Sequence, residues 1–207
     1  MLRKVLLPTL CFILALPTLT LAEETPEKLV RDTTEKMLAA LREEKAALEE
    51  TPSKVYELVD KIVLPHFDFA RMSKLVLARH WRTATQDQKD RFVKEFRALL
   101  VRTYATSLVE YSDEKVDFLP MRGDIKKKRV TVPTEVKRPG GANSIPITYD
   151  LYFINDEWKV YNVTVENISL VTNYRSTFNE QVNRGGLDKL IADLAAKTAK
   201  ANQGSES

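Results

Sequence analysis

WKVYNVTVENISLVTNYRSTF, Trp158 to Phe178, decides the fold, because a strand pattern passes into a helix pattern there without a loop-like stretch between them. Val160, Asn162 and Thr164 alternate with Tyr161, Val163 and Val165, the period of two expected of a strand whose faces meet different surroundings. From Leu170 the period lengthens. Leu170, Val171, Tyr174 and Phe178 recur every three or four residues and form one apolar helical face, with Arg175 and Asn179 beside it. Glu166-Asn167 lies between the two patterns. Asparagine tolerates the left-handed conformation better than any residue except glycine, so the chain is expected to swing there from sheet to helix. The helix that follows is expected to lie across the sheet, with Asn167 setting the angle between them.

Upstream, strand patterns cover Val116 to Leu119, Arg129 to Lys137, Ile145 to Asn155 and Glu157 to Glu166. Gly140-Gly141 and Asn155-Asp156 supply turns, so the last three strands are expected to form an antiparallel meander. Ile147, Tyr149, Leu151 and Phe153 share one face of the third strand, while Thr148, Asp150, Tyr152 and Ile154 make the other face more mixed. A sheet with one strongly apolar face needs helices laid against it, which implies an α+β fold.

Those helices fill the first half. Thr25-Pro26 and Thr51-Pro52 each place a capping residue before a first-turn proline. The first helix then buries Val30, Met37, Leu38 and Leu41, and the second buries Val55, Leu58, Val59 and Ile62 until Pro65 stops it. Asp68 caps a third through Phe69, Met72, Leu75 and Val76, and Thr85 with Gln88 forms a capping box that opens a fourth, longer one. That helix carries Phe92, Phe96, Leu99, Leu100, Tyr104, Leu108 and Tyr111 on a face too apolar to meet water. It is either core packing throughout or, in its far half, the wall of a cavity.

Residues 1–22 read as a cleaved export signal: Arg3 and Lys4, an apolar run from Val5 to Leu16, and a small-residue exit at Thr20-Leu21-Ala22. Residues 23–207 then form a single domain. The lone cysteine, Cys11, leaves with the signal, so no disulfide can hold the exported chain together. The signal also takes two of the 32 basic residues and none of the 29 acidic ones, which leaves the remainder nearly neutral and argues against nucleic-acid binding. One basic cluster remains, Lys126 to Arg129, read as a solvated hairpin end or a docking patch for acidic groups.

The inventory for catalysis is thin. Only His66 and His80 occur, neither with metal-ligand spacing, so no catalytic residue, metal or cofactor is expected and the protein is read as not an enzyme. Asp150 and Glu166 are expected to form structural salt bridges with Arg129 or Lys159. The tripeptide Arg122-Gly123-Asp124 and the glycosylation patterns at Asn162 and Asn167 are discounted as chance matches.

The junction, together with LARHWRTATQDQKDRF at Leu77 to Phe92 and RGGLDKLIADLAAK at Arg184 to Lys197, resembles the MlaC or toluene-tolerance family of periplasmic phospholipid-binding proteins. Ala78 and Asn167 stand where such proteins often carry glycine, and Gln86 where they carry proline; these changes suit a helix interior, a turn and a helix start. The resemblance implies a curved antiparallel sheet of about four strands backed by helices, NTF2-like, with an apolar cavity between the layers. It implies a periplasmic monomer that carries glycerophospholipid between the outer and inner membranes and maintains outer-membrane lipid asymmetry. The implied partners are an outer-membrane lipoprotein-porin complex and an inner-membrane ABC transporter with an MCE-domain subunit. On the faces read above, the lipid-binding candidates are Tyr104, Leu108 and Tyr111 on the long helix, Val132, Tyr149, Leu151 and Phe153 on the sheet, and Val163, Val165, Ile168 and Val171 at the junction. Arg175 is the candidate headgroup contact. Two rival readings stand beside the carrier: an enzyme on the same scaffold, which needs a cavity-facing Asp150 near His66, and a ligand-free adaptor, which needs a filled interior.

Overall fold

The computed structural model describes residues 25–110, 112–138 and 143–204, the last four by backbone alone. The capping signals at Thr25, Asp68 and Thr85 are obeyed, whereas the Thr51 side chain makes no capping hydrogen bond. Helix α1 (Pro26–Glu43) begins with the Thr25 hydroxyl accepting from the Lys28 N–H at 3.2 Å. A short α2 (Lys45–Glu50) follows. In α4 (Phe69–Leu77), Asp68 accepts from the Arg71 N–H at 2.8 Å. A single-turn α5 (Arg79–Thr83) leads to α6 (Gln86–Glu110). There Thr85 Oγ1 accepts from the Gln88 N–H at 3.2 Å while Gln88 Oε1 accepts from the Thr85 N–H at 3.0 Å, a reciprocal capping box.

The expected second helix is a composite instead. A 3-10 turn (Pro52–Lys54), the four-residue α3 (Val55–Leu58), a π-helical turn (Val59–Val63) and another 3-10 turn (Leu64–His66) succeed one another. Val55, Val59, Ile62 and Val63 are β-branched and favour an α-helix weakly, so tertiary packing sets the path of this segment. From it the chain meets the sheet edge: the Asp68 N–H donates to the Val160 carbonyl at 2.9 Å, and Lys159 Nζ donates to the Pro65 carbonyl at 2.9 Å.

The sheet comprises β1 (Lys115–Phe118), β2 (Arg122–Asp124), β3 (Arg129–Lys137), β4 (Ile145–Ile154), β5 (Glu157–Val165) and β6 (Ile168–Ser169), all antiparallel. The order is β1-β3-β4-β5-β6, and β2 shares with β1 the free edge of β3. Short β2 and β6 are the additions to the four strands that sequence patterning suggests. The expected meander is present, although its turn at Gly140-Gly141 lies outside the described residues. Asn155 (φ 49°) and Asp156 (φ 61°) make the next turn as a left-handed pair, the conformation that suits a two-residue hairpin.

The same chemistry recurs at the junction, where Glu166 (φ 49°) and Asn167 (φ 68°) reverse the chain. Instead of swinging straight into a helix, it folds back as β6, with Val165 opposite Ile168, before entering α7 (Leu170–Gly204). The alternation expected in β5 is also interrupted. Asp150 pairs with Asn162 but Leu151 pairs with Val160, so β5 carries one residue more than β4 at this point. This bulge places Val160 and Val163 together on the inner face, and it adds local twist.

Asn162 uses the displacement to lock the junction. Its side-chain oxygen accepts from the Ser169 hydroxyl at 3.0 Å and the Val171 N–H at 3.2 Å, while its amide donates to Asp150 at 2.8 Å. Asp150 also accepts from the Thr131 hydroxyl at 2.8 Å, so it joins this network rather than an ion pair. Lys159 pairs with Glu157 at 2.5 Å. The salt bridges expected for Asp150 and Glu166 are absent among the described residues because hydrogen bonds satisfy one carboxylate and the turn exposes the other.

Two helical packings complete the layers. Leu29 and Val30 of α1 lie on the inner face of the sheet against Val130, Val132, Leu151, Trp158 and Val160. Farther along α1, Met37 and Leu41 pack on Leu48, Val55, Leu58, Val101 and Ala105. By contrast, Val171, Phe178, Leu190, Ile191 and Leu194 of α7 pack on Met72, Val76, Phe92 and Phe96 of α4 and α6. Thus α1, not α7, crosses the sheet; β6 and the Asn162 network turn the start of α7 toward the helices. Gly186 (φ 82°, ψ 167°) breaks α7, and beyond the break Asp188 meets Arg91 at 2.7 Å. No helix among the described residues is long and apolar enough to cross a membrane.

Ala78 is the strained point of the helical layer. It lies between α4 and α5, not inside a helix, at φ 47° and ψ −110°, where a Cβ is disfavoured. Its side chain is exposed and supports nothing that glycine would remove. Ala78→Gly is expected to raise stability by about 1 kcal/mol, the relief of strain exceeding the added entropy of the unfolded chain. Urea unfolding monitored by tryptophan fluorescence checks this, with a lower midpoint as the opposing result.

Candidate functional site

Because α1 seals only one end of the inner sheet face, the other end looks onto space. A cavity of about 460 Å³ lies between the sheet, α1, α6 and the segment from Val59 to Met72. The sheet contributes Thr134, Val136, Ile145, Ile147, Tyr149, Val163 and Val165. Opposite them stand Met37, Leu38 and Leu41 of α1 and Leu100, Val101, Tyr104, Ala105 and Leu108 of α6. Val59 and Val63 of the π-helical turn, Phe67 and Phe69 extend the apolar wall.

Exposure locates the opening. Among the lining residues, Tyr104, Ser107, Arg138 and Glu166 are exposed, whereas the rest are buried or half-buried. All four carry polar groups, and among the described residues Arg138 and Glu166 are the only Lys, Arg, Asp or Glu side chains on the wall. An apolar interior with a polar rim accepts a molecule that has a long hydrocarbon part and a charged end.

Tyr149 lies deep in this interior. Burial pushes its hydroxyl above the usual tyrosine range, partly offset by the Thr134 hydroxyl hydrogen-bonded to it. It nevertheless retains accessible surface, which the cavity accounts for. On the helical side, Tyr174 packs edge-on against Phe96 with ring centroids 5.3 Å apart. Burial, followed by the nearby Tyr104 hydroxyl, pushes the Tyr174 hydroxyl up to about 12.

The sequence-derived candidates divide between this wall and other places. Tyr104, Leu108, Tyr149, Val163 and Val165 line the cavity. Tyr111 lies outside the described residues. Val132, Leu151 and Phe153 occupy the sheet end covered by α1, where Val132 and Leu151 are almost fully buried and Phe153 packs against Trp158. Ile168 is 60% exposed in β6, and Val171 is buried between helices. Arg175 is also on the helical side, its Nε donating to the Leu75 carbonyl at 2.7 Å, so it does not reach the cavity.

Sequence patterning missed the contributions of α1 and the Val59–Met72 segment. Their apolar stripes were visible, but not which part of each stripe would be left without a protein partner. His66 lines the cavity, whereas Asp150 is absent from the wall and engaged by Thr131 and Asn162. The pairing required by the enzyme reading is therefore not formed. His80 instead contacts Asn179, with 3.0 Å between Nε2 and Oδ1.

Residues 31–196 match the family described as MlaC protein. The chain belongs to the MlaC family. It is 33% identical over 200 residues to the toluene tolerance protein ttg2D of Pseudomonas putida, covering 95% of this chain and 92% of that protein. It is 21% identical over 176 residues to the intermembrane phospholipid transport system binding protein MlaC of Haemophilus influenzae, covering 84% and 82% of the respective chains. Among solved structures, the phospholipid-binding protein from Ralstonia solanacearum, in complex with a phospholipid, matches with a TM-score of 0.78 and 26% identity over 85% of this chain and 98% of that one.

The tyrosine environment gives a pH signature within this MlaC-family fold. Folding favours protonated Tyr174, so its contribution is fully present below the unfolded value of 10.0 and is lost as pH rises through about 12. Stability is expected to fall between these pH values, and Tyr174→Phe to fall less steeply than the parent. Denaturant titrations at several alkaline pH values measure the difference; parallel declines would contradict it.

Proposed function

We propose that this protein is a periplasmic carrier that binds glycerophospholipid by its acyl chains and shuttles it between outer and inner membranes. The apolar cavity with its charged rim carries this reading, and it is supported by the phospholipid held in the Ralstonia relative's structure. Two acyl chains contain on the order of 30 methylenes, whose exposure to water costs about 0.8 kcal/mol each, or roughly 25 kcal/mol together. Moving those chains from a bilayer into another hydrocarbon-like space is far less costly. Loading and release therefore require no covalent chemistry.

The proposed life of the chain begins with removal of residues 1–22 on export, leaving residues 23–207 as one domain. It then exchanges phospholipid with an outer-membrane lipoprotein-porin complex and an inner-membrane ABC transporter containing an MCE-domain subunit. Its role there is to maintain outer-membrane lipid asymmetry. The carrier acts as a monomer, and Tyr104, Leu108, Tyr149, Val163 and Val165 contact acyl chains. The observed cavity favours this reading over an adaptor with a filled core, and the position of Asp150 disfavours the enzyme alternative.

Ala105 supplies a test because it is buried on α6 and lines the cavity. Ala105→Phe is expected to occupy cargo space and reduce co-purified phospholipid by at least about fivefold while preserving the circular-dichroism spectrum. Organic extraction and mass spectrometry of protein prepared without delipidation provide the measurement. A parent extract lacking phospholipid, or a folded Phe variant retaining the parent amount, would overturn the proposal.

A further inference from the structure

The cavity wall restricts where a charged headgroup can lie. Its interior cannot hold an unpaired phosphodiester without a large desolvation cost, so the headgroup belongs at the exposed rim. Arg138 there follows the end of β3, while Glu166 begins the turn after β5. The pairings Val136 with Ile145 and Ile147 with Val165 bring these positions to the same end of the sheet. Both side chains are exposed, and among the described residues neither forms a hydrogen bond or ion pair with another side chain. Among the described residues, the rim thus presents one cation and one carboxylate above an apolar chamber.

Resting on the carrier reading, we propose that Arg138 and Glu166 form a headgroup subsite selective for zwitterionic phospholipids bearing an ammonium group. Arg138 donates to the phosphodiester, and its planar guanidinium suits that anion. Glu166 faces the outer part of the headgroup, attracting an ammonium and giving no comparable interaction to an uncharged glycerol. Both contacts remain partly solvated, so the preference is modest and weakens with salt. This assigns polar recognition to the rim and leaves Arg175 to its contact with α4.

Vesicles containing equal amounts of phosphatidylethanolamine and phosphatidylglycerol with matched acyl chains test the assignment. Full mature protein is incubated with them, separated, extracted and analysed by mass spectrometry at low and high salt. The parent is expected to enrich phosphatidylethanolamine about threefold at low salt. Glu166→Gln moves the bound ratio toward one, and Arg138→Gln lowers retention of both lipids, with partial recovery in Arg138→Lys. Lys126→Gln, beyond the opposite end of the sheet, retains the parent pattern, and circular dichroism establishes that each variant is folded. Bound lipid without headgroup enrichment, or enrichment unchanged by Glu166→Gln, overturns the subsite while preserving the carrier reading. No bound lipid in the parent overturns both.

Discussion

The position of α1 on the sheet governs the rest of the molecule. Leu29 and Val30 cover Val130, Val132, Leu151, Trp158 and Val160, while the farther half of the helix is held by α3 and α6 through Met37 and Leu41. These two attachments keep α1 from settling along the whole inner face. The uncovered part becomes the cavity. Apolar burial thus stabilises the fold at one end of the sheet and leaves a hydrocarbon-like surface at the other.

The junction contributes differently from what its helix pattern suggests. The β5 bulge puts Asn162 on the outer side while preserving Val160 and Val163 inside. Asn162 then satisfies the start of α7, and the Glu166-Asn167 reversal supplies a strand partner before that helix begins. Among the described residues of α7, only Leu170 reaches the cavity wall. This junction is therefore a braced corner joining the sheet to the helical layer, with little material placed to serve as a lid.

Much of the local structure was legible because short-range chemistry determines it. Thr25, Asp68 and the Thr85–Gln88 capping box mark helix starts, and the apolar periods identify the inner faces of β3 and β4. The candidate site was less legible because long-range placement decides which end of a face is covered. Tyr149 and Leu151 share a strand face, yet one borders the cavity and the other lies under α1. Likewise, the alternating letters of β5 do not reveal its extra residue, and Ala78 has no side-chain pattern that announces a positive φ. Arg138 carries no signal in the sequence for another reason: its position at the rim comes from the distant elements whose apolar walls end beside it.

A phospholipid with a photoreactive diazirine at mid-acyl chain tests most directly whether this chamber holds the cargo. After loading, irradiation and peptide mass spectrometry, crosslinks are expected to concentrate on the cavity-facing parts of α1 and α6 and around Tyr149. Crosslinks confined to the exposed surface, or to the α4–α7 interface around Val171 and Phe178, would contradict it.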